Sequence, residues 1–98
     1  MLEQDALKFY SDRVSIIDDY HLLDVDLHYY PLIEYNDAIL FHIKSVVSYC
    51  HRFSPQRFSG LTQWSLRVAY RKYKVLSIKG RSVSFRMIDK KEYKEIVK

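Results

Sequence analysis

The fold is decided by residues 64–88, which read WSLRVAYRKYKVLSIKGRSVSFRMI. Over the first six residues, apolar and polar side chains alternate, and a period of two is typical of a strand with one buried face. Two more runs rich in β-branched residues follow, at 73–78 and 82–88. Gly80 lies between them and favours a tight hairpin turn, because glycine adopts a positive φ without steric cost. The stretch therefore predicts a three-stranded antiparallel meander.

The rest of the chain predicts one further strand and three helices. Leu23 and Tyr29 bound a run in which apolar residues alternate with polar ones, which predicts a strand over residues 22–29. Helices are predicted over 2–13, from about 37 to 52, and over 89–98. The expected fold is α+β: a small twisted antiparallel sheet, made of the N-terminal strand and the meander, packed against one main helix.

The size of the chain fits one small domain, expected over residues 1–98 with an acidic N-terminal extension of about residues 1–20. No apolar run approaches the ~20 residues of a membrane helix, and no membrane partner is expected. Cys50 is the single cysteine, which fits a reducing compartment, and the acidic start of the chain is unlike a secretion signal. A cytoplasmic protein is expected.

Charge is strongly segregated along the chain. Residues 1–37 hold nine acids, whereas residues 38–88 hold ten Lys or Arg and no acid. A basic segment interleaved with Tyr, Phe and Trp is typical of a surface that contacts phosphates. The alternative is that the acidic N-terminal third folds back and neutralises the basic part.

Several kinds of chemistry find no support in the sequence. The four histidines and Cys50 lack the spacing of a structural zinc site, so no metal and no cofactor are expected. Cys50 and His51 are adjacent, which on a helix turns them about 100° apart, so they cannot act as nucleophile and base. No glycine-rich phosphate loop is present.

The C-terminal half resembles the RelE/ParE toxin superfamily. The resemblance lies in a leucine and glycine lead-in at 58–63, an aromatic and an arginine in 64–68, a basic second strand at 73–76, and a last stretch, 83–93, that ends in a basic pair and a tyrosine. It implies an mRNA endoribonuclease of a toxin-antitoxin pair, with RNA, including ribosome-bound mRNA, as substrate and an antitoxin protein as partner. The ParE branch of the superfamily inhibits DNA gyrase instead.

The resemblance also implies a set of functional residues. The implied catalytic residues are Arg67, Lys74, Lys90, Lys91 and Tyr93. Cleavage through a ribose 2′-hydroxyl needs cations for the phosphorane charge, a proton donor and a base. Arginine and lysine supply the cations, Tyr93 or a lysine supplies the proton, and His28 is a candidate base only if its strand borders the meander.

Further cations of the basic segment are candidates for nucleic-acid binding. They are Arg71, Lys72, Lys79, Arg81 and Arg86. A solvated sheet face that binds nothing would have the same composition.

A winged helix is the main alternative. Residues 62–74 would then form the recognition helix, capped by Thr62, with 54–60 as the preceding helix and the C-terminal hairpin as the wing. Gln63, Arg67, Arg71 and Lys72 would face DNA. The alternation of Trp64, Leu66 and Val68 disfavours this helix, because it would spread apolar residues around all its sides.

A third alternative is a non-catalytic interaction module or inhibitor. In this case the acidic segment 18–37 would bind a basic partner protein.

Overall fold

The structure, a computed structural model, describes residues 1–24 and 29–98. Within these ranges the elements are α1 (Leu2–Ser11), β1 (Ile16–Ile17), a 3₁₀ turn (Tyr20–Leu22), β2 (Leu32–Tyr35), β3 (Ala38–Phe41), α2 (Ile43–Phe53), α3 (Gln63–Ala69), β4 (Tyr73–Ile78), β5 (Arg81–Asp89) and α4 (Lys90–Val97). The fold class is α+β, as the sequence predicts.

The described strands form one twisted open sheet in the order β1-β2-β3-β5-β4. β1 runs parallel to β2, and all the other pairs are antiparallel. The sheet is therefore mixed, whereas the sequence predicts a purely antiparallel one. β3 is the central strand, and all four of its residues are buried.

The predicted C-terminal hairpin is confirmed. β4 and β5 pair from Tyr73↔Arg86 to Ile78↔Arg81, which leaves Lys79 and Gly80 as the two turn residues. Both have positive φ, 50° and 79°, as a type I′ turn requires. This turn matches the right-handed twist of the strands, so it fixes their register.

The predicted strand at 64–69 is wrong: these residues form helix α3. The Thr62 hydroxyl accepts the Ser65 N–H at 3.0 Å, and the Ser65 hydroxyl accepts the Thr62 N–H at 3.1 Å. This capping box satisfies two backbone donors at the start of the helix. Leu66 and Tyr70, one turn apart, are buried, while Trp64 is exposed to solvent. The helix therefore buries Leu66 together with Tyr70, whereas the predicted strand would have buried Leu66 together with Trp64.

The predicted start of the main helix near residue 37 is also wrong, because residues 32–41 form the β2–β3 hairpin. Tyr35 pairs with Ala38, and Asn36 takes the positive φ of 52° in the two-residue turn between them. Asn36 serves a turn and caps no helix. The helix begins only at Ile43 and continues to Phe53, which confirms the later part of the prediction.

The sheet separates two hydrophobic cores. The larger one lies beneath the four helices and includes Phe41, Phe58 and Leu66, while the smaller one, on the opposite face, includes Leu40 and Phe85. Adjacent residues of β3 thus enter different cores, since side chains alternate across a strand. A strand buried on both faces loses the alternation of apolar and polar residues that sequence patterns rely on.

Both terminal helices pack into the larger core. The predicted N-terminal helix is confirmed as α1, and it buries Ala6, Leu7 and Tyr10 completely, so it belongs to the domain and is no extension. The Tyr10 hydroxyl donates to the Tyr30 carbonyl. The tail helix is confirmed as α4, which docks Tyr93 into the same core.

Only part of the predicted strand at 22–29 can be compared with the structure. Leu22 ends the 3₁₀ turn and Tyr29 makes an isolated bridge, while residues 25–28 lie outside the described residues. Within the described ranges, no helix is long and apolar enough to cross a membrane.

The order of the elements bears on the winged-helix alternative. α1 is followed, after the β1–β2 segment, by β3, α2, α3 and the β4–β5 hairpin, and β3 pairs with β5. The winged-helix alternative requires this order of helix, strand, helix, helix and hairpin, with the second hairpin strand paired with the first strand. β1 and β2 extend the sheet beyond that arrangement.

The capping box makes the helical state of 64–69 testable. Thr62→Ala should lower the free energy of unfolding by about 1 kcal/mol, because it leaves the Ser65 N–H without its acceptor. Thr62→Ser, which keeps the hydroxyl, is the control and should stay close to wild type. Urea denaturation measures both variants, and equal stabilities for the two would contradict the capped helix.

Candidate nucleic-acid interface

A cleft of about 310 Å³ lies between the start of α2, the exposed side of α3 and the inner side of β5. Among the described residues, its cations are Lys44, Arg67, Arg81 and Arg86, and its polar residues include Gln63, Ser82 and Ser84. No Asp or Glu of residues 1–24 and 29–98 lines it. We call these lining residues, with Tyr30, His42, Ile43 and Val83, the basic cleft.

The register of the sheet builds one wall of the cleft. Phe41, the last residue of β3, pairs with Arg86 of β5, so the chain leaves the sheet beside Arg86. His42 follows and caps α2: its Nδ1 accepts the Ser45 N–H at 3.3 Å and lies 2.8 Å from the Ser45 hydroxyl. Lys44 is consequently held at the rim in the first turn of α2.

The opposite wall is α3, whose position is fixed by a clamped loop. Residues 54–62 connect α2 to α3, and Phe58 and Leu61 bury their side chains in the larger core. The Nε2 of His51 lies 3.0 Å from the Phe58 carbonyl and 2.9 Å from the Leu61 carbonyl. Since carbonyls only accept, the His51 Nε2–H donates to both. This loop presents Gln63 and Arg67 to the cleft.

The floor is the inner side of the hairpin. Ser82, Ser84 and Arg86 alternate along β5 on the side that faces the cleft. The Arg86 guanidinium lies 5.5 Å from the Tyr73 ring and donates to the Arg71 carbonyl at 3.0 Å. It is thus held in one position, whereas Arg81 lies at the open end beside the turn.

In the part of the acidic segment that the structure describes, no carboxylate forms a salt bridge with a cation of the cleft. The described residues form two salt bridges, Lys79–Asp24 at 2.9 Å and Lys90–Glu34, and both lie outside the cleft. Within the described residues, Lys44, Arg67 and Arg81 have no carboxylate partner. The positive potential of the cleft is therefore open to an external anion.

The structure does not bring the five implied catalytic residues together. Arg67 lines the cleft on α3, but Lys74 lies with its ammonium 5.4 Å from the Tyr35 ring, on the side of the smaller core. The predicted meander would place Arg67 and Lys74 on adjacent strands, whereas the structure places Arg67 on α3 and Lys74 on β4. The remaining three are on α4: Lys90 pairs with Glu34, Lys91 is exposed, and Tyr93 is buried in the larger core.

The predicted nucleic-acid-binding residues divide into two groups. Arg81 and Arg86 line the cleft, while Arg71 and Lys72 are exposed in the connection from α3 to β4. Lys79, at the hairpin turn, is paired with Asp24. The candidate base His28 lies outside the described residues.

Sequence reasoning missed His42 and Lys44 as site residues. The apolar residues from Ile39 to Cys50 have helical spacing, so the sequence predicts one long helix that includes both residues. The signal that could have found them is the Asn-Asp pair at 36–37 between two apolar runs, which is typical of a hairpin. A hairpin there moves the start of the helix, and with it the cap, to residue 42.

Buried ionisable groups elsewhere carry no chemistry in the cleft. Burial raises the pKa of the Cys50 thiol to about 12, so this cysteine stays protonated and is a poor nucleophile. Burial also raises the pKa of Tyr70 to about 12, helped by Glu92 and Glu3. Both side chains belong to the larger core.

Comparisons with known protein families, with curated proteins and with solved structures give no match to this chain.

The cap of α2 should make stability depend on pH. Burial, with Lys44 nearby, lowers the pKa of His42 from 6.5 to about 4, whereas in the unfolded chain His42 gains a proton below about 6.5. Between these values the unfolded state binds more protons, so stability falls as the pH falls through this window. The His42 contribution is fully present above the unfolded pKa.

The matched variant is His42→Asn, which can still cap a helix but does not titrate. Urea denaturation near pH ~7 and near pH ~5 should show a larger loss of stability for wild type than for the variant. An identical pH dependence in the two proteins would contradict the neutral, capping His42.

Proposed function

We propose that the protein binds double-stranded DNA as a winged-helix protein, with α3 in the major groove and the β4–β5 hairpin along the backbone. The observation that carries the proposal is the basic cleft: four cations and no acid between a solvent-exposed helix and a hairpin. Phosphate contacts of this kind fix the register and orientation of a protein on the duplex.

The geometry of the cleft supports two roles for its residues, phosphate contact and contact with base edges. Lys44 lies in the wall formed by the start of α2, and Arg81 lies at the open end of the floor beside the hairpin turn, so the two cations are suited to different phosphates. Gln63 and Arg67, one turn apart on α3, are joined by a hydrogen bond of 3.3 Å from the guanidinium to the amide oxygen. These two side-chain types make specific contacts with adenine and guanine edges in the major groove.

The segregation of charge supports the same proposal. Among the described residues, the acids of the N-terminal part form no salt bridge with the cleft cations, so these charges are open to a polyanion. Binding of DNA would release counterions in proportion to the phosphates neutralised.

The RNA endoribonuclease remains a prediction from resemblance. Its five implied residues are divided between the cleft, the opposite side of the sheet and α4, so no described constellation supplies the acid, base and cations together. RNA is accordingly the competing ligand in the experiment below. Cleavage of the RNA probe would favour the toxin hypothesis over DNA binding.

The test is fluorescence anisotropy with a labelled DNA duplex and a labelled RNA duplex over a range of salt concentrations. Lys44→Ala and Arg81→Ala should each weaken DNA binding and lower the slope of log affinity against log salt by about 1, since each removes one phosphate contact. Neither exposed side chain contributes to a core, so stability should change by less than about 0.5 kcal/mol.

Matched controls are Lys94→Ala on α4 and Arg52→Ala at the far end of α2, which remove the same charges outside the cleft. These variants should keep the wild-type salt slope. Equal slopes for cleft and control variants would contradict a role for the cleft, and absence of DNA binding by the wild type at low salt would refute the proposal.

A further inference from the structure

The solvent-facing side of α3 carries two apolar side chains. Trp64 is 71% exposed and Val68 is 46% exposed, one helical turn apart, and we call this pair the α3 crest. Within the described residues, the Trp64 side chain makes no hydrogen bond, ring contact or cation contact. The capping box holds the start of α3 in place, so the indole is presented to solvent by a fixed helix.

The crest adjoins the residues that line the basic cleft. On a helix, Trp64 and Arg67 are three residues apart and therefore neighbours, as are Trp64 and Val68. Leu66 and Tyr70 are buried on the opposite side. A duplex that is held by the cleft cations and receives α3 in its major groove would therefore contact the crest beside Gln63 and Arg67.

An apolar crest is suited to contact the thymine methyl group in the major groove. Thymine is the only base that presents a methyl group there, and apolar side chains contact it, whereas the other groove edges offer hydrogen-bond donors and acceptors. Neither Val68 nor the ring carbons of Trp64 can satisfy those donors and acceptors. Gln63, the neighbouring cleft residue, is of the type that pairs with adenine.

We propose that the α3 crest, Trp64 and Val68, recognises thymine methyl groups, so that the protein prefers A·T-rich duplex DNA. This inference rests on the proposed function and specifies its substrate. It also accounts for the exposure of two large apolar side chains on a helix that the larger core holds through Leu66.

The experiment compares two A·T-rich duplexes that differ only in carrying thymine or deoxyuridine, which lacks the methyl group. Both duplexes have the same phosphates, so the contribution of the cleft cations cancels. Wild-type protein should bind the thymine duplex about fourfold more tightly for each methyl buried, the equivalent of about 0.8 kcal/mol. Trp64 is the only tryptophan, so its emission should change on binding.

Variants identify the side chains responsible. Trp64→Gln and Val68→Thr should reduce the preference for thymine, whereas Ile16→Thr, which alters a comparably exposed residue on β1, should leave it intact. The effect of each variant on the binding free energy is compared between the thymine and the deoxyuridine duplex. The difference between the two effects measures the contact between the side chain and the methyl group.

The outcomes separate this inference from the proposed function. Methyl recognition would be overturned, while DNA binding stands, if the wild type bound the two duplexes with equal affinity. The same holds if the crest variants lowered the affinity for both duplexes by the same factor. Unchanged Trp64 emission at saturation would also overturn it. A wild type that binds neither duplex would overturn both proposals.

Discussion

The pairing of β3 with β5 is the interaction on which the rest of the structure depends. It joins the N-terminal hairpin to the C-terminal one, from Ala38↔Asp89 to Phe41↔Arg86, and it lies between two cores. Because side chains alternate across β3, Ile39 and Leu40 enter opposite cores. A slip of one residue would exchange the two sets of side chains, so burial on both faces fixes this register strongly.

The same register determines where the cations of the cleft lie. It ends β3 opposite Arg86, and His42 then caps a helix whose first turn carries Lys44. The position of α3, which forms the other wall, does not depend on this register. It is fixed by the hydrogen bonds of His51 to the 54–62 loop and by the capping box of Thr62. Among the described residues, Lys44, Arg67 and Arg81 form no salt bridge, so their charges remain available for a ligand.

Elements with one clear signal were predictable from the sequence, and elements with two competing signals were not. The β4–β5 turn has Gly80, and α1 and α4 have helical spacing of apolar residues, so local physics decides them. At 64–69 the alternation of Trp64, Leu66 and Val68 competed with the capping box, and tertiary packing of Leu66 decided for the helix. β3 is buried on both faces and therefore has no alternation to detect.

For the site, the sequence predicts that the basic residues are functional, but only the structure shows which of them lie together. Arg67, Arg81 and Arg86 were predicted as functional and do line one cleft, whereas Lys74 and Lys90 contact residues elsewhere. The difference follows from α3: as a strand, Arg67 would share a sheet face with Lys74, but as a helix it faces the hairpin. A basic composition thus predicts that a chain binds phosphates, while the secondary structure of one seven-residue segment decides which cations line one cleft.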